Sequence, residues 1–167
     1  MRHQEVRVYD VDSATLLSES QQKCVYCVLW SHDGSRLLGS EDETIRCWNS
    51  DMGEQIGHPW TGHTSIILSL SLSPDESILA SASLDKTVRF WDATTGHPIG
   101  HLQHGEAVRA VRFSPSGEFV VSGGSGGKIL LWRVPWLNSI ENRVRAVTRM
   151  DLGIHTYRPL HLTDKPS

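Results

Sequence analysis

Residues Thr61–Asp92 read TGHTSIILSLSLSPDESILASASLDKTVRFWD. Gly62-His63 stands near the start and Trp91-Asp92 at the end. Between them lie three apolar runs, divided by Pro74-Asp75 and by Leu84-Asp85-Lys86. Runs this short, rich in Ile, Leu, Val, Ser and Thr and bounded by turn formers, predict β-strands and not helices.

The same parts recur along the chain. Trp48, Trp91 and Trp132 each end a strand, TIRCW, TVRFW and KILLW, at spacings of 43 and 41 residues. VRVYD at Val6–Asp10 fits the same position, with Tyr9 in place of tryptophan. Ahead of each tryptophan comes a turn: Glu41-Asp42-Glu43, Leu84-Asp85-Lys86 and Ser125-Gly126-Gly127. Ahead of that is a short apolar strand: Arg36–Ser40, Ile78–Ser83 and Phe119–Ser122. A tight turn precedes it, at Ser31–Gly34, Ser73–Glu76 and Ser114–Gly117, with the Asp, Pro and Gly that join antiparallel strands. The first strand of each unit is Cys24–Trp30, Ile66–Leu72 and Ala107–Phe113. Weaker fourth strands are expected at Thr15–Ser18, Glu54–Trp60 and Pro98–Gln103.

A unit of roughly 40–45 residues with GH near its start and WD near its end resembles one repeat of the WD-repeat β-propeller family. The resemblance covers about residues 5–134. It implies an all-β fold, a partial or small β-propeller made of four-stranded antiparallel blades. The expected blades are at about 23–60, 64–103 and 107–140, with a half blade at 5–20 and a C-terminal tail at 141–167. One such sheet cannot bury both faces alone, so neighbouring sheets must stack. In the tail, Ile140, Val144 and Val147 have helical spacing, yet Val144–Val147 also repeats the Val108–Val111 sequence of a first strand. As a strand, the tail would supply what the N-terminal half unit lacks and close a ring of four blades.

Composition bounds the function. A net charge of −3 is too mild to predict a nucleic-acid or membrane partner. Three cysteines, an odd number, together with an N-terminus lacking an apolar core segment, predict reduced thiols and an intracellular, cytoplasmic or nuclear setting. No run approaches the length of a membrane-spanning helix. Arg143, Arg145, Arg149 and Arg158 lack the interleaved aromatics of a nucleic-acid surface and read as a solvated face.

In the family, a buried hydrogen-bonded tetrad joins the His of GH, a Ser or Thr on the second strand, the Asp of the following turn and the Trp. The matching residues here are His63, Ser81, Asp85 and Trp91. Ser-His-Asp also suggests a hydrolase, but a nucleophile must be exposed beside an oxyanion site, and the internal clamp is the preferred reading. The outer units depart from the pattern. His104 keeps the 22-residue spacing but faces Gly126 where Asp is required, with Ser122 and Trp132 in place. In the first unit Asp42 and Trp48 are present, counting back from Trp48 puts Leu38 in the serine position, and no Gly-His precedes the first strand. Losing Asp85 should therefore cost more stability than losing Asp42.

Cys24-x-x-Cys27 resembles half a zinc site, but no second pair follows, and core cysteines are the preferred reading. Ser122–Lys128 resembles a phosphate loop, but Ser122 holds the first glycine position and a strand follows, so it reads as a turn. No metal and no cofactor is expected. The resemblance implies a non-enzymatic scaffold for protein–protein interaction, binding partner proteins or peptides through loops at one blade face, near Glu41, Asp42, Ser65, Leu84, Glu106 and Ser125. These residues are small, apolar or acidic and favour a basic or mixed peptide. The alternative is an incomplete propeller whose open blade edges self-associate or are completed by another chain.

Overall fold

The computed structural model describes residues 24–134 in full, and the backbone of two earlier strands, β1 (Glu5–Tyr9) and β2 (Leu16–Gln21). The tail that would complete the N-terminal half unit, and the end of the third unit, lie outside the described residues. Every described element is a strand. After β1 and β2 come β3 (Val25–Trp30), β4 (Arg36–Glu41), β5 (Thr44–Asn49), β6 (Ile67–Leu72), β7 (Ile78–Ser83), β8 (Thr87–Asp92), β9 (Pro98–Gln103), β10 (Val108–Phe113), β11 (Phe119–Gly124) and β12 (Ile129–Arg133). They form antiparallel meanders in the order β1-β2, β3-β4-β5, β6-β7-β8-β9 and β10-β11-β12. The middle sheet has four strands. In the first sheet, the fourth strand expected at Glu54–Trp60 is reduced to two isolated bridges, Trp48 with Gln55 and Ile45 with Trp60. Gly57, at a φ of 68°, and Pro59 interrupt the segment between those bridges, and a proline has no N–H for a ladder.

The three sheets are built alike because their turns are alike. In the first, Ser31 Oγ donates to Asp33 at 2.6 Å and accepts from the Arg36 N–H at 2.9 Å. In the second, Ser73 Oγ donates to Asp75 at 2.5 Å and accepts from the Ile78 N–H at 3.0 Å. Ser114 Oγ accepts from the Phe119 N–H at 3.1 Å in the third. Donation from the Ser31 hydroxyl, then from the Ser35 N–H and hydroxyl, holds the Asp33 carboxyl at about 2. A one-residue register shift recurs in each first strand, after Val25, Ile67 and Val108, and such bulges sharpen the local twist.

The core lies between sheets. Leu38, Ile45, Cys47, Trp60, Ile67, Leu70, Leu79 and Trp91 pack between the first and middle sheets. Ala80, Ala82, Val88, Phe90, Val108, Val111 and Val120 pack between the middle and third. Each strand contributes alternate residues to these layers, as the period of two requires. Serines on β6 join the second interface: Ser71 Oγ accepts from the Phe113 N–H at 3.0 Å, and Ser69 Oγ accepts from the Val111 N–H at 3.3 Å and from Arg112 Nη1 at 3.1 Å. The backbone N–H groups along this side of β10 thus find partners in the neighbouring sheet.

Of the three cysteines, Cys47 is in the core, where burial pushes its thiol pKa up. Cys27 is half-buried and packs against the core between the first and middle sheets, whereas Cys24 is half-buried outside that cluster, short of the expected core position. They lie at the start of the first sheet, where one side of β3 is exposed. No cluster of three metal-ligating side chains occurs among the described residues.

Candidate functional site

The middle sheet brings His63, Ser81, Asp85 and Trp91 into one chain of hydrogen bonds. His63 lies in the segment entering β6, Ser81 on β7, Asp85 in the β7–β8 turn and Trp91 at the end of β8. His63 Nδ1 is 2.7 Å from Asp85 Oδ2, and His63 Nε2 is 2.7 Å from Ser81 Oγ. Trp91 Nε1 donates to Ser81 Oγ at 2.8 Å. With Nδ1–H donating to Asp85, Nε2 accepts from the Ser81 hydroxyl, so every polar atom in the chain has a partner. Asp85 also accepts from the Thr64 N–H at 3.1 Å, from the Thr87 N–H at 2.9 Å and from Thr87 Oγ1 at 2.6 Å. One carboxylate thereby ties the segment entering β6 to the β7–β8 turn.

The electrostatics follow from this geometry. Burial alone would raise the Asp85 carboxyl, but donation from Thr87 and His63, the attraction of His63 and the Thr64 N–H outweigh it and hold the group below the usual carboxylate range. Burial lowers the His63 pKa, and Asp85 offsets that only in part. Ser81 is fully buried, with relative exposure 0%, and is covered by His63 and Trp91. A serine with no exposed surface presents no nucleophile to a substrate.

The third sheet carries a different arrangement. Ser122 Oγ accepts from Trp132 Nε1 at 2.8 Å, as Ser81 does from Trp91. His104 is buried, and both its ring nitrogens lack hydrogen-bond partners. In place of the missing turn aspartate, Glu106 reaches across from the entering segment. Its Oε1 accepts from the Lys128 N–H at 3.4 Å, a weak counterpart of the Thr87–Asp85 bond. Its carboxylate covers Gly124 and Gly126 so closely that a Cβ on either would lie 2.0 Å from a Glu106 oxygen. The acid has moved from the turn to the segment that faces it.

In the first sheet the register corrects one expectation. Gly39, not Leu38, holds the serine position: Gly39 pairs with Arg46 as Ser81 pairs with Arg89. A Cβ on Gly39 would lie 2.9 Å from Trp48 Cζ3, so the ring packs over bare backbone where the middle sheet has a hydroxyl. The β4–β5 turn is one residue shorter than the β7–β8 turn, and counting back from Trp48 therefore misses by one. Glu41 is also not a surface group. It is 0% exposed and pairs with Arg46 Nε at 2.6 Å. The shortened turn places it as the last residue of β4, opposite Thr44, and not in the loop.

The other rim residues gather at one end of the three sheets. The Asp42 N–H donates to Cys24 O at 3.3 Å, the Leu84 N–H to Ile66 O at 2.9 Å and the Ser125 N–H to Ala107 O at 2.9 Å. These three equivalent bonds fasten each second turn to the segment entering its own sheet. Asp42, Ser65, Leu84 and Glu106 are half-buried there, and Ser125 is exposed.

These repeated meanders match the family model "WD domain, G-beta repeat" three times, over residues 12–49, 53–92 and 96–133. The chain belongs to the WD40 repeat family. Among curated WD40 relatives, "Protein HIRA homolog" of Drosophila melanogaster is 33% identical over 95 residues, 46% of this chain and 9% of that protein. "Apoptotic protease-activating factor 1" of Rattus norvegicus is 30% identical over 147 residues, 75% of this chain and 12% of that protein. The chain thus spans about a tenth of the length of these relatives. The solved "Crystal structure of RRP9 WD40 repeats" superposes with a TM-score of 0.65 at 23% identity, covering 69% of this chain and 37% of that one. That likeness is one of fold.

Proposed function

We propose that this WD40 chain is a non-enzymatic protein-interaction scaffold that binds a basic or mixed peptide across the end of the sheets where Asp42, Ser65, Leu84, Glu106 and Ser125 lie. The observation that carries the reading is the threefold anchoring of the second turns to the entering segments, which presents these side chains on backbone that does not have to be ordered on binding. None of the five is basic, and two carry carboxylates, so a lysine- or arginine-bearing segment meets favourable charge. Burial of Ser81 supports scaffold over hydrolase, since the Ser-His-Asp set is enclosed within one sheet. No cofactor, nucleic acid or membrane enters this reading. A panel of basic, acidic and neutral peptides, read by fluorescence anisotropy against the chain and its Asp42→Lys and Ser125→Arg variants, tests it. Basic peptides should bind, and each variant should weaken them about fivefold or more, on the order of 1 kcal/mol for a rim charge. Equal binding of all three classes, or variants that bind basic peptides unchanged, would refute it.

A further inference from the structure

The first and third sheets, β3-β4-β5 and β10-β11-β12, each leave an apolar face exposed, and the faces are unlike. On β3, Val28 and Trp30 are each 59% exposed. By register they hold the positions of Leu70 and Leu72 on β6 and of Val111 and Phe113 on β10: Val28 pairs with Gly39 as Leu70 pairs with Ser81 and Val111 with Ser122. In the middle and third sheets those residues pack against the preceding sheet. At the other end of the stack, Val121 is 36% and Ile129 55% exposed. They hold the positions of Ala80 and Val88, which are fully buried under the third sheet. Between them, with Ala110 and Gly123, is a shallow apolar hollow on the third sheet.

The chain therefore carries both halves of one interface that it already builds twice internally. One end offers projecting side chains, including a tryptophan where Phe113 sits edge-on to Phe90 at 6.4 Å. The other offers small residues and a hollow. We propose that two copies of this chain associate head to tail, with Val28 and Trp30 of one entering the Ala110–Val121–Gly123–Ile129 hollow of the other. Each copy contributes one four-stranded and two three-stranded sheets, besides β1-β2, and two copies bring six such sheets together, within the range of roughly 4–8 blades in which propellers close. Closure places both ends of each copy in contact, which makes the dimer a ring in place of an open filament. It also covers edges and apolar faces that a single copy leaves to solvent.

Sedimentation velocity of the full chain tests this. The expected species has twice the 18.6 kDa of one chain. Trp30→Glu and Ile129→Glu should each raise the dissociation constant at least tenfold, with unchanged β circular dichroism because both sites are exposed within one copy. Mixing the two variants should restore part of the association, since one of the two interfaces in the mixed dimer then joins two unaltered faces. A monomeric wild type, with the tail or nothing on these faces, overturns the proposal. So does a dimer indifferent to both substitutions, or one broken by Trp30→Glu alone, which would mean like faces meeting. If either glutamate variant fails to fold, Val28→Ser and Ile129→Ser replace the pair with the same expected readings.

Discussion

Replacing Asp85 with alanine removes the acceptor shared by His63 Nδ1, the Thr64 N–H, the Thr87 N–H and Thr87 Oγ1. Thr64 is exposed and its N–H can turn to water. The His63 ring is completely buried and Thr87 is 8% exposed, so three donors lose their acceptor in the interior; Thr87 Oγ1, 3.4 Å from His63 Nδ1, can accept from the imidazole, which leaves the Thr87 N–H and hydroxyl without a partner. At about 1–1.5 kcal/mol for each orphaned group, the expected loss is about 3 kcal/mol. With a slope of about 2 kcal/mol per molar urea, the midpoint should fall by about 1.5 M. Asp42 is the contrasting site, because its carboxylate takes none of the bonds that Asp85 takes among the described residues, and Asp42→Ala should shift the midpoint by less than about 0.5 M. The measurement is urea unfolding of both variants and the wild type, followed by tryptophan fluorescence at pH 7. Equal midpoints for the two variants, or a larger effect at Asp42, would refute the assignment of the polar chain as the clamp of the middle sheet.

Three further outcomes follow from the same geometry. His63 is held neutral by burial, so between its unfolded pKa near 6.5 and its lower folded one the unfolded chain binds more protons; stability is full above about pH 6.5 and falls as the pH drops toward 5, a loss that His63→Gln should remove from urea midpoints measured across that range. Glu106→Ser with Gly126→Asp transplants the middle-sheet residues into the third sheet and gives His104 a partner, which should raise stability by about 1 kcal/mol; Gly126→Asp alone should not, because its side chain meets the Glu106 carboxylate. Gly96→Ala would put a Cβ 2.1 Å from Trp60 Nε1 at a φ of +73°, and should cost about 2–4 kcal/mol and change the near-ultraviolet circular dichroism, as Trp60 gives up its place beside Trp91.

Much of this is legible in the sequence. Apolar alternation and turn residues located the strands, because a half-buried strand and a tight turn constrain their residues locally. The WD-repeat resemblance located the polar chain, because the Gly-His, turn-Asp and Trp positions that carry it are marked in the sequence of the middle unit. What escaped depends on turn length and on side chains reaching across space. The shorter β4–β5 turn shifts Gly39 into the serine position and draws Glu41 inside with Arg46, and no count from Trp48 reveals it. Glu106 serves the third sheet from the opposite segment, so its role follows from distance and not from spacing. The fourth strand expected at Glu54–Trp60 is cut to two bridges, because Gly57 and Pro59 do not allow a continuous ladder there.

Among the described residues the hydrogen-bonded quartet is confined to the middle sheet, so cohesion is unevenly distributed along the three sheets. The middle sheet is gripped on both flanks and from within, whereas among the described residues the first and third sheets each share one core layer and a thinner set of polar ties. In a linear array with nearest-neighbour coupling, such a gradient means that opening starts at the ends and moves inward. Amide protons of Ile78–Ser83 should thus outlast those of Arg36–Glu41 and Phe119–Gly124 in deuterium exchange, and the last cooperative unit to melt is the one that holds His63.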